Sequence, residues 1–192
     1  MRRRFVTLDV FTQKRFAGNP LAVVLESDGL DKDAMQAIAR EFNLAETVFV
    51  MQPADPDNRA ALRIFTPKSE LPFAGHPTVG TAALLAALRG PEGGDRRAIV
   101  VLEEAIGTVR VGVRFKDDAA PFAEFDAPRR PEEVAVVLPS IERMAAALGL
   151  IPAEIGFENH RPVAYSAGVP YVFIPVPSMS AIRKAGVQPQ HW

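Results

Sequence analysis

Two residues stand where proton chemistry could be done. Glu46 lies in Asn43-Leu-Ala-Glu-Thr47, and His76 lies in Leu71-Pro-Phe-Ala-Gly-His-Pro-Thr-Val-Gly80. The second stretch continues through Thr81-Ala-Ala-Leu-Leu-Ala-Ala-Leu-Arg89 to Gly90. Gly75 therefore opens a helix with Pro77 in its first turn and Gly90 just past its end. A helix entrance presents unpaired backbone N–H groups and the positive end of the helix dipole, which suits an anion. Neither the lysine and spacing of a P-loop nor a G-x-G-x-x-G is present, so a small carboxylate fits better than a phosphate. The same residues also suit a plain loop and helix cap, and taken alone the motif favours the cap.

Glu46 sits on the bend between a helical stretch and the strand-like Thr47-Val-Phe-Val-Met51. Leu44, Ala45, Val48 and Phe49 around it would desolvate the carboxyl and raise its pKa toward a range useful for general acid and base work. A lone glutamate at a helix end is otherwise a hydrated surface residue. Asp9 and Glu70 read as structural, Asp9 bonding a loop and Glu70 holding the turn before Leu71. His160 and His191 have no metal-ligand spacing to His76, so no metal site is assigned. The chain has no cysteine, which removes thiol bases, disulfides and zinc–thiolate sites.

These residues must be positioned by a globular body. The chain has 192 residues, 48% of them hydrophobic, enough for one sizeable core or two small ones. Its 22 basic and 23 acidic residues give a net charge of −1, so no basic stripe points to nucleic acid or a membrane surface. A small-molecule partner is expected. The basic start Met1-Arg-Arg-Arg-Phe is followed by Asp9 rather than an uninterrupted apolar run, and no stretch reaches transmembrane length, so a cytoplasmic protein is expected.

The pattern predicts strands at Phe5–Phe11 and Leu21–Leu25, and a helix capped by Asp31 with Leu30 and Met35 as its hydrophobic staple. Further strands are expected at 47–51, 61–65, 99–102 and 108–115, with an exposed loop at Pro91–Asp95. The helix after Gly75 has almost no polar face, which predicts burial at the centre of a domain. Val109, Val111, Val113 and Phe115 alternate with Arg110 and Arg114, which read as a solvated face. The turn-like Lys116–Pro121 suggests a boundary, giving domains 1–117 and 118–192. In the second, a strand at 133–138, a helix from Ser140 to Gly149 and two strands within 163–176 are expected. Ala17-Gly-Asn-Pro20 and Ala167-Gly-Val-Pro170 each precede four apolar residues, which suggests two copies of one unit, each with strands around a single buried helix.

Asp9-Val-Phe11, Phe16-Ala-Gly-Asn-Pro20, Asn43-Leu-Ala-Glu-Thr47, Leu62-Arg-Ile-Phe-Thr-Pro67, Glu70 through Thr78 and Ser166-Ala-Gly-Val-Pro170 together resemble the PhzF family of phenazine-biosynthesis isomerase-like proteins. The resemblance runs through nearly the whole chain. It implies an α+β, diaminopimelate epimerase-like fold: two pseudo-symmetric domains, each a curved sheet around a central helix, with the active site between them. It also implies a cofactor-independent isomerase in which Glu46 moves a proton between carbons, with Gly75, His76 and Thr78 as substrate-binding positions. Epimerases of this fold commonly use paired cysteines. With none here, a carboxylate must serve.

Two departures stand out. Ala45 occupies the position before the glutamate where many members have serine. The family's second glycine-rich motif, E-D-P-A-T-G-S-A, is not found, and the 57-position spacing from Gly18 to Gly75, carried over from Gly168, falls beyond Trp192. The second domain is therefore expected to be incomplete. Self-association as a homodimer is expected to cover the apolar sheet this would expose, or else disorder is expected after Val176. The alternative is a non-catalytic relative acting as a dimerisation or small-molecule binding module.

Overall fold

Alternating and β-branched runs at the predicted places form strands in the computed structural model, which describes residues 2–90 and 94–191. Pro91–Gly93, part of the expected exposed loop, lie outside the described residues. The chain divides into two compact units, Met1–Pro128 and Arg129–Trp192. The first contains β1 (Phe5–Val10), β2 (Asn19–Val24), α1 (Lys32–Phe42), β3 (Glu46–Met51), β4 (Ala60–Phe65), β5 (Glu70–Leu71), α2 (Gly75–Arg89), β6 (Arg96–Glu104), β7 (Gly107–Phe115) and β8 (Phe122–Phe125).

These strands form one sheet in the order β1-β2-β3-β4-β6-β7-β8, with β5 paired to β4. Parallel pairing occurs between β2 and β3 and between β4 and β6, and each parallel join is bridged by a helix, α1 or α2. Strand alternation sends Val23, Val48 and Ile64 to a core shared with α2, and Val24, Phe49 and Phe65 to a smaller core under α1. The two helices thus cover opposite faces. The Asp31 side chain accepts from the Ala34 N–H, Leu30 packs into the cluster holding Met35, and Asn43 ends α1 in the left-handed region at φ 51°.

α2 touches strands from both edges of the sheet, β1 and β8, as well as β2, β3, β6 and β7, so the sheet curls around it. Gly80 makes that closeness possible: a Cβ there would lie 2.8 Å from Val10 Cγ2 and 2.9 Å from Leu21 Cδ2. The helix is not enclosed along its whole length, however. His76 through Ala82 are buried, whereas Ala87, Leu88 and Arg89 in the last turn are exposed. The expected domain boundary at 117/118 also moves, to Pro128. After the turn at 116–121 the chain adds β8 to the same sheet, antiparallel to β7, instead of leaving it.

The second unit contains β9 (Glu132–Glu133), α3 (Ile141–Leu148), β10 (Val163–Ser166), β11 (Pro170–Phe173) and α4 (Met179–Lys184). Its sheet is antiparallel, in the order β11-β10-β9. The strand expected at 133–138 shrinks to β9. Continuing the register of Glu133 with Tyr165 would set Val136 opposite Pro162, which has no N–H for the ladder. Ser140 and Gly149 cap α3 as the pattern predicts. The two Ala-Gly-x-Pro stretches play like parts, one entering β2 of the β1–β2 hairpin and the other joining β10 to β11. The expected enclosed helix is not found among the described residues of this unit. α3 packs mainly on the short helical turns at Pro152–Glu154 and Pro189–His191.

Candidate active site

The first turn of α2 is bare. Its N-cap is Ala74, which offers no side-chain acceptor, and Pro77 has no N–H, so the N–H groups of Gly75 and His76 are the ones left without an intrahelical partner. Thr78 already donates its N–H to the Ala74 carbonyl at 3.2 Å. Phe125 lies over the entrance, 3.5 Å from where a Gly75 Cβ would stand, with its ring edge-on to Phe73.

Glu46 reaches this entrance because it is the first residue of β3. It shares a strand face with Val48 and Val50, which belong to the α2 core. Phe49, expected from the sequence to shield Glu46, instead points to the α1 side, and Ala45 is exposed. What faces Glu46 is His76, with Glu46 Oε2 and His76 Nε2 3.1 Å apart and the two side chains 17% and 8% exposed. Close as they are, neither atom has an aligned hydrogen-bond partner among the described residues. Two buried polar atoms are therefore uncommitted at one spot, which native structures rarely tolerate without a purpose.

Burial pushes the Glu46 carboxyl above its ordinary range. It pushes the His76 imidazole below its own, against an opposing hydrogen bond to the Pro20 backbone. Each group thus leans toward its neutral form. Asn19 completes the set. Its Nδ2 lies 3.1 Å from His76 Nδ1. This contact holds the ring at Nδ1 and leaves Nε2 turned toward Glu46. Gly18 has β1 hard against its Cα, the Val10 carbonyl and Thr12 leaving no room for a side chain, and this places Asn19.

The remaining sequence candidates divide. Gly75, His76 and Glu46 come together, but Thr78 does not join them through its side chain. That side chain is fully buried, with its hydroxyl 2.8 Å from both the Ala74 carbonyl and Glu104 Oε1. Asp9 accepts from the Phe16 N–H, and Glu70 forms a two-bond pair with Arg63, its carboxyl held below the usual range chiefly by that pairing; both are structural. No group of three or more metal-binding side chains occurs among the described residues, nor is any helix long and apolar enough to cross a membrane. Sequence reasoning missed Asn19 and Glu104. The Gly-Asn-Pro placement at the head of β2 was the available signal for Asn19; Glu104, one of two adjacent glutamates before a turn, offered none.

An apolar groove of about 720 Å³ runs beside the site, lined by Val10, Phe11, Val79, Leu84 and Phe122 among others but not by Glu46 or His76. Phe11 links the two, its exposed ring edge-on to His76 with centroids 6.4 Å apart. Phe11 holds a left-handed backbone at φ 61°, strained for an aromatic residue and placed next to the candidate site.

The family model described as phenazine biosynthesis-like protein matches residues 8–191. An uncharacterized isomerase of Mesorhizobium japonicum is 55% identical over 99% of this chain and 61% of its own length. The trans-2,3-dihydro-3-hydroxyanthranilate isomerase of Pseudomonas aeruginosa is 35% identical over 98% of this chain and 62% of its own. The chain thus spans about three-fifths of the length of these relatives. Among solved structures, a predicted epimerase from Pseudomonas aeruginosa matches with a TM-score of 0.83 and 36% identity, covering 97% of this chain and 64% of that one. A hydroxyproline epimerase from Agrobacterium vitis, 13% identical with a TM-score of 0.56, shares the fold over 95% of this chain and 52% of its own. With its α+β half-barrel, its open helix entrance and a match spanning residues 8–191, this chain belongs to the PhzC–PhzF family of phenazine biosynthesis-like proteins.

Proposed function

We propose that the chain acts as a cofactor-independent isomerase that moves a proton between two carbons of a small carboxylic acid, with Glu46 taking and returning it. The observation that carries this reading is the meeting of two buried, uncommitted polar atoms, Glu46 Oε2 and His76 Nε2, at the uncapped entrance of α2. A substrate carboxylate on the Gly75 and His76 N–H groups would lie at the positive pole of the helix. Glu46 then removes a proton from a carbon conjugated with that carboxylate. The C–H electrons enter the conjugated system, a double bond shifts, and the Glu46 carboxylic acid gives the proton to a different carbon, with no net oxidation. His76, held by Asn19, stands 3.1 Å from Glu46 and limits where its carboxyl can turn. The names of the relatives support a ring carboxylate as substrate.

The test is deuterium incorporation from heavy water into trans-2,3-dihydro-3-hydroxyanthranilate. Glu46→Gln keeps the shape and loses the base, so exchange should fall by roughly 10²–10⁴-fold while binding persists. Undiminished exchange in the variant removes Glu46 from the role. Binding without exchange in the unmutated chain would move the reading to a small-molecule binding module.

A further inference from the structure

On the far side of the same helical turn lies a second buried carboxyl that the proposed reaction does not use. Glu104 ends β6, is 8% exposed, and has one oxygen, Oε2, without a hydrogen-bond partner among the described residues. Its other oxygen, Oε1, lies 2.8 Å from Thr78 Oγ1, which lies 2.8 Å from the Ala74 carbonyl oxygen. The protons available to this chain of three oxygens bear on the state of Glu104. Each contact at that distance needs a proton between the oxygens, because facing lone pairs repel. Thr78 owns one, which its hydroxyl can direct at the Ala74 carbonyl or at Glu104 Oε1, and a proton on Glu104 lets both contacts be made at once.

We propose that Glu104 is a positioning residue whose protonated carboxyl, beneath the first turn of α2, pins Thr78 against the Ala74 carbonyl and leaves the positive pole of the helix free for an anionic ligand. Ionised, it would place a buried negative charge against that pole and compete with the ligand for it. Burial independently pushes the Glu104 carboxyl up to about 7. The Thr78 hydroxyl, where it donates to the carboxylate, opposes that rise and is the smaller of the two effects.

Among the described residues, burial and the Thr78 hydroxyl are what act on the Glu104 carboxyl. From β7, Gly107 stands opposite it in register and Thr108 opposite Glu103. The segment before α2 presents Pro72, whose carbonyl accepts from Ile106. Glu103 is bound elsewhere, accepting from Ala54, Asp55 and Asn58. On α2 the other titratable side chains are His76, in the same first turn, and Arg89 at the far end. The ligand half of the proposal rests on the isomerase reading above, whereas the proton half does not.

The experiment is a pH titration of the full chain by NMR, with ¹³C-labelled glutamate carboxyls and ¹⁵N amides, compared with Glu104→Gln. Glutamine keeps a donor for Thr78 and cannot ionise, so the fold and the pin survive. The wild-type chain should show one carboxyl titrating near pH 7 that is missing in the variant, and the Gly75 and His76 amides should show an inflection at the same pH that the variant lacks. If no carboxyl titrating above pH 6 disappears in the variant, Glu104 is ionised and the proposal fails. If the carboxyl behaves as stated but the two amides do not follow it, its charge does not reach the pole and the positioning role is overturned.

Anthranilate serves as the ligand probe, measured by calorimetry. Its affinity should fall about tenfold between pH 6 and 8.5 in wild type and stay nearly level in Glu104→Gln. An equal fall in both proteins overturns the positioning role. Failure to bind at any pH counts against the isomerase reading, while the titration alone upholds the protonated Glu104.

Discussion

The two ends of α2 differ in the opposite sense from what their side chains suggest. Its first half carries polar groups, His76, Thr78 and Thr81, and all three are buried, two of them completely. Its last turn is apolar but for Arg89, and there Ala87 and Leu88 face solvent. Burying polar atoms without partners costs on the order of 1–3 kcal/mol each, so the fold bears a cost at the end where the chemistry is proposed. The other end has no such demand placed on it. A buried polar end is a working end.

If that contrast is right, charge should be expensive at the first end. Glu104 has a folded-state value of about 7 against an ordinary 4.5. A carboxyl raised on folding gives stability that is complete below about pH 4.5, because folded and unfolded chains are then both protonated. As the pH rises toward 7 the unfolded chain loses a proton that the folded chain keeps, and stability falls; above about 7 it levels off. The loss is on the order of 3 kcal/mol. Glu46, also raised, contributes in the same direction, while His76, lowered, contributes stability that is lost as the pH falls below about 6.5. Both remain in Glu104→Gln, so the difference between urea unfolding curves of the two proteins isolates Glu104. The variant should gain on wild type by about that amount between pH 4.5 and 8, and parallel curves would break the contrast.

Much of this helix was legible beforehand. Gly75, Pro77 and Gly90 mark its ends in the sequence, and they are where the structure puts them. Asp31 and Asn43 do the same for α1. Those signals are local, set by backbone chemistry within one turn. The misread features depend on parity or distance. Starting β3 at Glu46 decides which face each residue takes, so Phe49 lies across the sheet from the glutamate it was expected to shield. Asn19 meets His76 across 57 positions, and Glu104 meets Thr78 across 26. The missing polar face of α2 spoke of a central helix but not of which end the sheet would close over. That depends on how far β1 and β8 reach along it, and β8 lay beyond the expected domain boundary.

The middle of α2 should be nearly as sensitive as its first turn, but to volume rather than charge. At Gly80 a Cβ would press on Val10 Cγ2 and Leu21 Cδ2, and Leu21 has no exposed surface into which to move. Gly80→Val should therefore cost about 1–3 kcal/mol, as overpacked cores do. Valine is no worse a helix former than glycine, so the loss cannot be assigned to propensity. A urea midpoint unchanged from wild type would show that α2 and the β1–β2 hairpin have room between them, and the enclosure of the helix would have to be withdrawn.

The smallest effect belongs to the last turn, and it carries the contrast because the residue type argues for a large one. Leucine at a helix end following seven apolar or small residues has every mark of a core position, and replacing a core leucine with lysine would bury an unpaired charge at a cost of several kcal/mol. Leu88 is 56% exposed, however, and a lysine there can keep its stem on the helix and its ammonium in water. A cation in the last turn also complements the helix dipole, as Arg89 already does. Leu88→Lys should consequently change unfolding stability by less than about 0.5 kcal/mol and leave deuterium exchange at Glu46 untouched. A loss of 2 kcal/mol or more would mean that Leu88 is covered in solution, and the two ends of α2 would then be equally enclosed.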